Sequence, residues 1–188
     1  ITRVDLSGPP HRLWVGDPDA PEPTYTADAV IVSTGAQALM LGIDAEWDLM
    51  GRGVSTCATC DGFFFRGRDV AVVGGGDSAM EEALFLARMA GSVTVIHRRA
   101  ELRASKIMAE RAMEHPKIKF MWNTVVEDLV GDETLEAVKL RDLTTDAVST
   151  VPMAGFFVAI GHRPNTDLFL GQLATDDDGY IETVADGT

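Results

Sequence analysis

Cys57-Ala58-Thr59-Cys60 is followed at once by Asp61. Two cysteines at this spacing close a small ring readily, and the local geometry of such a pair favours the thiolate that disulfide exchange requires. A carboxylate beside them can carry protons to and from a leaving thiol as a general acid or base. The chain has 188 residues and 2 Cys, too few for a disulfide scaffold or a four-ligand zinc site. A half zinc site shared with a second chain and two incidental buried cysteines remain alternatives to a redox pair. His11, His97, His115 and His162 are scattered without ligand spacing, so no metal is expected.

A second constellation follows the cysteines. In Gly74-x-Gly76-x-x-Ala79 the first glycine permits a tight strand-to-helix turn and the second lets backbone approach a pyrophosphate. The third small residue lets helix and strand pack closely. The helix N-terminus then offers free N–H groups and a positive dipole end to an anion, and Ser78 can add a hydroxyl donor. An ordinary tight turn is the alternative, but the pattern follows a strand and opens a helix that leads to another strand.

Arg98 stands 22 positions past Gly76, within His97-Arg98-Arg99 and ahead of Arg103. An NAD site places an acidic residue there, whereas a 2′-phosphate needs cations, and guanidinium matches phosphate with two parallel donors. Each charge-assisted hydrogen bond contributes roughly 1.5–3 kcal/mol, enough to separate NADP from NAD. The alternative, a solvated basic face, accounts poorly for a cationic cluster in a chain of net charge −13. The same negative charge argues against nucleic acid and anionic membrane surfaces as partners. With 46% hydrophobic and 24% charged residues, no apolar stretch of spanning length and no signal-peptide pattern, the chain reads as a globular cytoplasmic protein.

These residues require elements to hold them. Val70–Val73 and Ser92–Ile96 read as strands joined by a helix running from the glycine turn to about Ala90, with Gly91 as its stop. A helix from an N-cap at Ser105 to Met113 and a strand over Lys117–Trp122 follow. Residues 125–152 alternate short β-like runs with polar turns, suggesting antiparallel ribbons. Gly155–Ile160 is a continuously apolar strand, as one covered on both faces would be. Before the cysteines, Arg12–Val15 and Ala29–Ser33 read as strands, and residues 37–56 as a connector with one short helix. The sum is an α/β fold: a parallel sheet with helices on its faces and a small antiparallel crossover. The chain reads as cut from a larger protein.

Cys57-Ala-Thr-Cys-Asp-Gly-Phe-Phe-Phe65, Val72-Val-Gly-Gly-Gly-Asp-Ser-Ala-Met-Glu-Glu-Ala83, His97-Arg-Arg-Ala-Glu-Leu-Arg103 and Ile160-Gly-His-Arg-Pro-Asn165, in this order, strongly resemble the low-molecular-weight thioredoxin reductases. The resemblance implies a Rossmann-like three-layer NADPH domain over residues 38–162, flanked by incomplete FAD-domain segments at 1–37 and 163–188. It implies electron flow from NADPH through FAD to the Cys57–Cys60 disulfide and on to thioredoxin, with Asp61 handling protons, in a homodimeric complete enzyme. Gly74, Gly76, Ser78, Ala79, His97, Arg98, Arg99, Arg103, Ile160 and Gly161 would hold NADPH. Thr34, Gly35 and Tyr180 match positions near the FAD. The family's N-terminal glycine-rich FAD fingerprint and its C-terminal Gly-Asp segment are absent from this sequence, so the isolated chain is expected to bind NADPH without turnover. Arg163 stands where other members often carry a different residue. The flavoprotein component of alkyl hydroperoxide reductase has a similar Cys pair but uses NADH and lacks the arginine set.

Overall fold

Residues 1–183 are described by the computed structural model. The strands up to the cysteines are β1 (Arg3–Asp5), β2 (His11–Trp14), β3 (Tyr25–Ala27), β4 (Ala36–Ala38) and β5 (Val54–Ser55), with helix α1 (Asp44–Asp48) before β5. There follow α2 (Ala58–Asp61), a 3₁₀ turn (Gly62–Phe65), β6 (Asp69–Val73), α3 (Asp77–Ala87), β7 (Ser92–Ile96), α4 (Lys106–Met113) and β8 (Ile118–Met121). The antiparallel strands β9 (Thr124–Val130), β10 (Ala137–Asp142) and β11 (Val148–Pro152) lead to β12 (Gly155–Val158) and β13 (His162–Pro164). The chain divides into two compact units, residues 38–161 and residues 1–37 with 162–188.

In the unit of residues 38–161, the runs Val70–Val73, Val93–Ile96 and Phe156–Val158 lack a polar face and are buried on both sides. That pattern belongs to a parallel sheet covered twice. The sheet is parallel throughout, in the order β5-β12-β6-β7-β8. Side chains alternate between its faces. Val70, Val72, Val93, Val95 and Phe157 pack with Ala79, Met80, Ala83 and Leu86 of α3 and Ala112 of α4. Ala71, Val73, Ile96, Phe156 and Val158 pack with Leu129, Val138 and Leu140 of the ribbon and with Leu49 after α1. The three-layer α/β class therefore holds, with α3 and α4 on one face and the ribbon with short α1 on the other. Glu127 of β9 ties the ribbon by pairing with Lys139 (3.3 Å) and Arg141 of β10.

In the other unit, β1, β2 and β3 form an antiparallel meander with β2 central. Buried Trp14 anchors it, with the Arg3 guanidinium 3.6 Å above its ring and its indole N–H donating to the Ala20 carbonyl (3.0 Å). Gln172 clamps the meander, donating to the Val4 carbonyl (3.0 Å) and accepting from the Leu6 N–H (2.7 Å).

Two local expectations are corrected and a third is refined. Ala29–Ser33 form no strand, and Ile31 is 91% exposed; an apolar run becomes a strand only beside a hydrogen-bonding neighbour, and β1–β3 pair among themselves. Gly91 does not end α3, which stops at Ala87. Its N–H donates to the Arg68 carbonyl (2.8 Å), and a Cβ there would stand 2.8 Å from the Gly67 oxygen, so its small size serves the close approach of the turn before β6. Ser105 takes the expected N-cap position of α4, but its hydroxyl makes no cap bond; its backbone N–H instead donates to Asp77 Oδ1 (2.7 Å).

Phe157 is fully buried and meets Phe65 edge-to-face at 5.4 Å between ring centroids. Phe157→Ala is expected to destabilise the chain by about 3–5 kcal/mol, read as a lower urea midpoint with unchanged slope.

Candidate functional site

At the end of β6 the chain turns at Gly74, with φ of +152°. A Cβ there would lie 2.3 Å from the Ala159 carbonyl oxygen and 2.7 Å from the Ala79 Cβ. Glycine at 74 and alanine at 79 thus let the end of β6, the start of α3 and the residue after β12 meet. The Gly74 N–H donates to the Ile96 carbonyl (3.1 Å). Gly76 differs, since nothing lies within 4 Å of the place its Cβ would take. It borders a cavity of about 490 Å³, with Ser78 beside it, Val73, Ile96 and Ala159 as apolar lining, and Ile160 and Gly161 from the returning strand. The volume falls in the range of cofactor sites.

His97, Arg98, Arg99 and Arg103 line the same cavity, on a loop that abuts the glycine turn. Main-chain bonds fix this loop: the Arg103 and Ala104 N–H groups donate to the Gly75 carbonyl (2.7 and 3.0 Å), and the Asn123 N–H to the Arg99 carbonyl (3.2 Å). The His97 ring is buried where a side chain at Gly75 would be; a Cβ at 75 would fall 2.2 Å from its Cε1. Burial pushes the His97 pKa below its ordinary 6.5; Arg99 and Arg98 add to this, while the carbonyls of Glu101 and Gly74 oppose it. His97 is therefore neutral at pH 7 and orients the loop, in contrast to the cationic role its neighbours suggest. Arg98, Arg99 and Arg103 are exposed, and none pairs with a carboxylate among the described residues. Sequence reasoning passed over Gly75, although the run of three glycines signalled it; Leu39, Leu41, Thr124 and Val125 also line the cavity and carried no signal.

Cys57 and Cys60 form a disulfide with Cα atoms 5.3 Å apart. Cys57 is the N-cap of α2, its Sγ accepting from the Cys60 N–H (3.2 Å). Cys57 is half-buried and Cys60 exposed. Asp61, at the end of α2, accepts a hydrogen bond at Oδ2 from the buried Ser55 hydroxyl (2.6 Å). Beyond it Phe63 and Phe64 are 65% and 72% exposed, while Phe65 turns into the core. The aromatic run is conspicuous in sequence, but its division into two outward rings and one inward ring is not.

Helix α2 packs along α3, with Gly62 against Leu86 and Phe85. Glu82 Oε2 is buried without a hydrogen-bond partner. Burial pushes the Glu82 pKa up to about 7, Glu81 adds to it, and the Ala58 N–H opposes it. Among the described residues, no group of three or more His, Cys, Asp or Glu could hold a metal ion, and no helix is long and apolar enough to cross a membrane.

Thr34, Gly35 and Tyr180, in the other unit, are exposed. The Thr34 carbonyl accepts from Asn165 Nδ2 (2.9 Å), the Gly35 carbonyl from the Asn165 N–H (2.9 Å), and the Tyr180 N–H donates to Asp176 (2.8 Å). Arg163 donates from Nη2 to both carboxylate oxygens of Asp167 (3.0 and 2.7 Å).

A match to the pyridine nucleotide-disulphide oxidoreductases spans residues 11–187. The chain belongs to this family. It is similar to the thioredoxin reductase of Streptomyces coelicolor, 51% identical over all of this chain and 57% of the relative, and to that of Mycolicibacterium smegmatis, 53% identical over 97% of this chain and 57% of the relative. Among solved structures it resembles the thioredoxin reductase of Giardia duodenalis with a TM-score of 0.84 and 33% identity, covering 95% of this chain and 58% of that one. This pyridine nucleotide-disulphide oxidoreductase chain thus spans a little over half the length of these relatives.

The raised Glu82 pKa gives a pH signature. In the folded chain the carboxyl holds its proton up to about 7, against 4.5 ordinarily, so its contribution to stability is complete below pH 4.5 and lost as pH rises towards 7. Glu82→Gln removes this dependence. The stability of the variant minus that of the parent is expected to rise between pH 4.5 and 7 and to be flat outside that window, as measured by denaturant unfolding at a series of pH values.

Proposed function

We propose that this chain is the nucleotide-binding and dithiol part of an NADPH-dependent thioredoxin-disulfide reductase. The observation that carries the reading is three guanidinium groups and a glycine turn lining one cavity at the start of α3, while a disulfide lies on the helix packed along the same α3. NADPH supplies a hydride when bound. Gly76 admits its pyrophosphate at the start of α3, aided by Ser78, with Gly74 and Ala79 permitting the close turn. Arg98, Arg99 and Arg103 take the 2′-phosphate, His97 holds their loop from behind, and Ile160 and Gly161 line the opposite side. Residues 38–162 are then the NADPH domain, and 1–37 and 163–188 belong to a FAD domain.

The dithiol passes its electrons by thiol–disulfide exchange, and Asp61 carries protons to and from the leaving thiol. Phe63 and Phe64, outward beside Cys60, offer an apolar surface for thioredoxin to dock. By resemblance the complete enzyme is a cytoplasmic homodimer. The exposure of Thr34, Gly35 and Tyr180 favours a second reading for the chain by itself, a module that binds NADPH without turnover.

In titrations of this chain, NADPH is expected to bind more tightly than NADH, and Arg98→Ala with Arg99→Ala to weaken NADPH by at least about tenfold with NADH unchanged; equal affinities in the parent chain would overturn the assignment. The chain, reduced with dithiothreitol and freed of it, is expected to reduce oxidised thioredoxin in a single turnover. Cys60→Ser abolishes complete reduction, and Phe63→Ala with Phe64→Ala raises the thioredoxin concentration for half-maximal rate about tenfold.

A further inference from the structure

Ser55 ends the shortest strand of the sheet and is 3% exposed. A hydroxyl has one proton to give and two lone pairs to accept with. Here it donates to Asp61 Oδ2 (2.6 Å) and accepts from the Cys57 N–H (3.0 Å), while the Cys57 carbonyl stands 3.4 Å away. The hydroxyl therefore lies between the proposed proton carrier and the backbone of the first cysteine. With Asp61 ionised, the Ser55 proton points at Oδ2. With Oδ2 protonated, the carboxyl donates to Oγ and the Ser55 proton turns to the Cys57 carbonyl. Both protonation states keep a partner, so neither leaves a buried polar atom stranded, which would cost stability.

We propose that Ser55 is a positioning residue for proton transfer at the dithiol, holding Asp61 in register with Cys57 and Cys60 through either protonation state. This rests on Asp61 as the proton carrier. In reduction of an external disulfide, one thiolate of the pair attacks a sulfur of that disulfide. A mixed disulfide forms, the external S–S bond breaks, and the first leaving thiolate takes the Asp61 proton. The second cysteine thiol gives its proton to Asp61 and attacks the mixed disulfide. The Cys57–Cys60 bond re-forms, and the second leaving thiolate takes the proton from Asp61. The pair loses two electrons, the external disulfide gains them, and Asp61 ends ionised.

Two probes separate this role from packing. Bis(2-hydroxyethyl) disulfide releases alkyl thiolates that need a proton, whereas 5,5′-dithiobis(2-nitrobenzoate) releases a stable aromatic thiolate that does not. With the prereduced chain, Ser55→Ala and Asp61→Asn are each expected to slow oxidation by the alkyl probe about tenfold, the loss set by one general acid, and to change the aromatic rate less than twofold. The double variant is expected to be no slower than either single one, as for groups acting as a unit, and Ser55→Thr, which keeps the hydroxyl, to recover most of the alkyl rate. If Ser55→Ala leaves both rates unchanged or slows both alike, or if the losses multiply in the double variant, the positioning role is overturned while Asp61 can still stand. If Asp61→Asn leaves the alkyl rate unchanged, the proton carrier itself is misassigned, and the role of Ser55 falls with it.

Discussion

The unit that carries the candidate site depends on one close approach, the backbone of Gly74 against the carbonyl of Ala159 with the methyl of Ala79 alongside. No side chain fits at 74, since any Cβ would stand 2.3 Å from that oxygen. Because the approach is allowed, α3 starts directly on the end of β6 and beside the end of β12, and its line across the sheet follows. The cavity lies at the beginning of that line. The disulfide helix docks further along it, at Glu82, five residues from the start; at about 1.5 Å rise per residue the two features are separated by roughly 8 Å along the axis. A shift of α3 would move both together.

Electrostatics act over two ranges here. The net charge of −13 sets a repulsive background for an anionic nucleotide, but ionic strength near 0.15 M screens charge beyond about 8 Å. Within that distance the cavity presents Arg98, Arg99 and Arg103, none paired with a carboxylate among the described residues. His97 contributes shape and no charge, because burial keeps its ring neutral. An anion entering this cavity would meet contact donors, with little long-range steering.

The parallel strands were readable because Val70–Val73, Ser92–Ile96 and Gly155–Ile160 are short, β-rich and apolar on both faces, and each is bounded by glycine or a polar turn. The ribbon was readable from its alternation. What failed were inferences that hang on a neighbour: Ala29–Ser33 has strand composition but no pairing partner in its unit, and Gly91 answers to the backbone of Gly67, more than twenty positions away in sequence. At the site, residue types and spacing brought out the cysteines, the glycine turn and the arginines. Ser55, Glu82 and the inward turn of His97 were not readable, since burial and partners across the fold give them their character. A serine two residues before a cysteine is unremarkable until its hydroxyl is found 2.6 Å from a carboxylate.

The loop that presents the arginines is fastened almost wholly by main-chain groups, at Gly75, Met121 and Asn123, and by the buried His97 ring. None of these fastenings uses a guanidinium. The scaffold and its charge are therefore separable: residues 98, 99 and 103 can exchange over evolutionary time, or by engineering, with the loop's path preserved, whereas Gly75 and His97 must change together or not at all. Substitutions on that surface would change the charge facing the cavity while the packed pair beneath keeps its place.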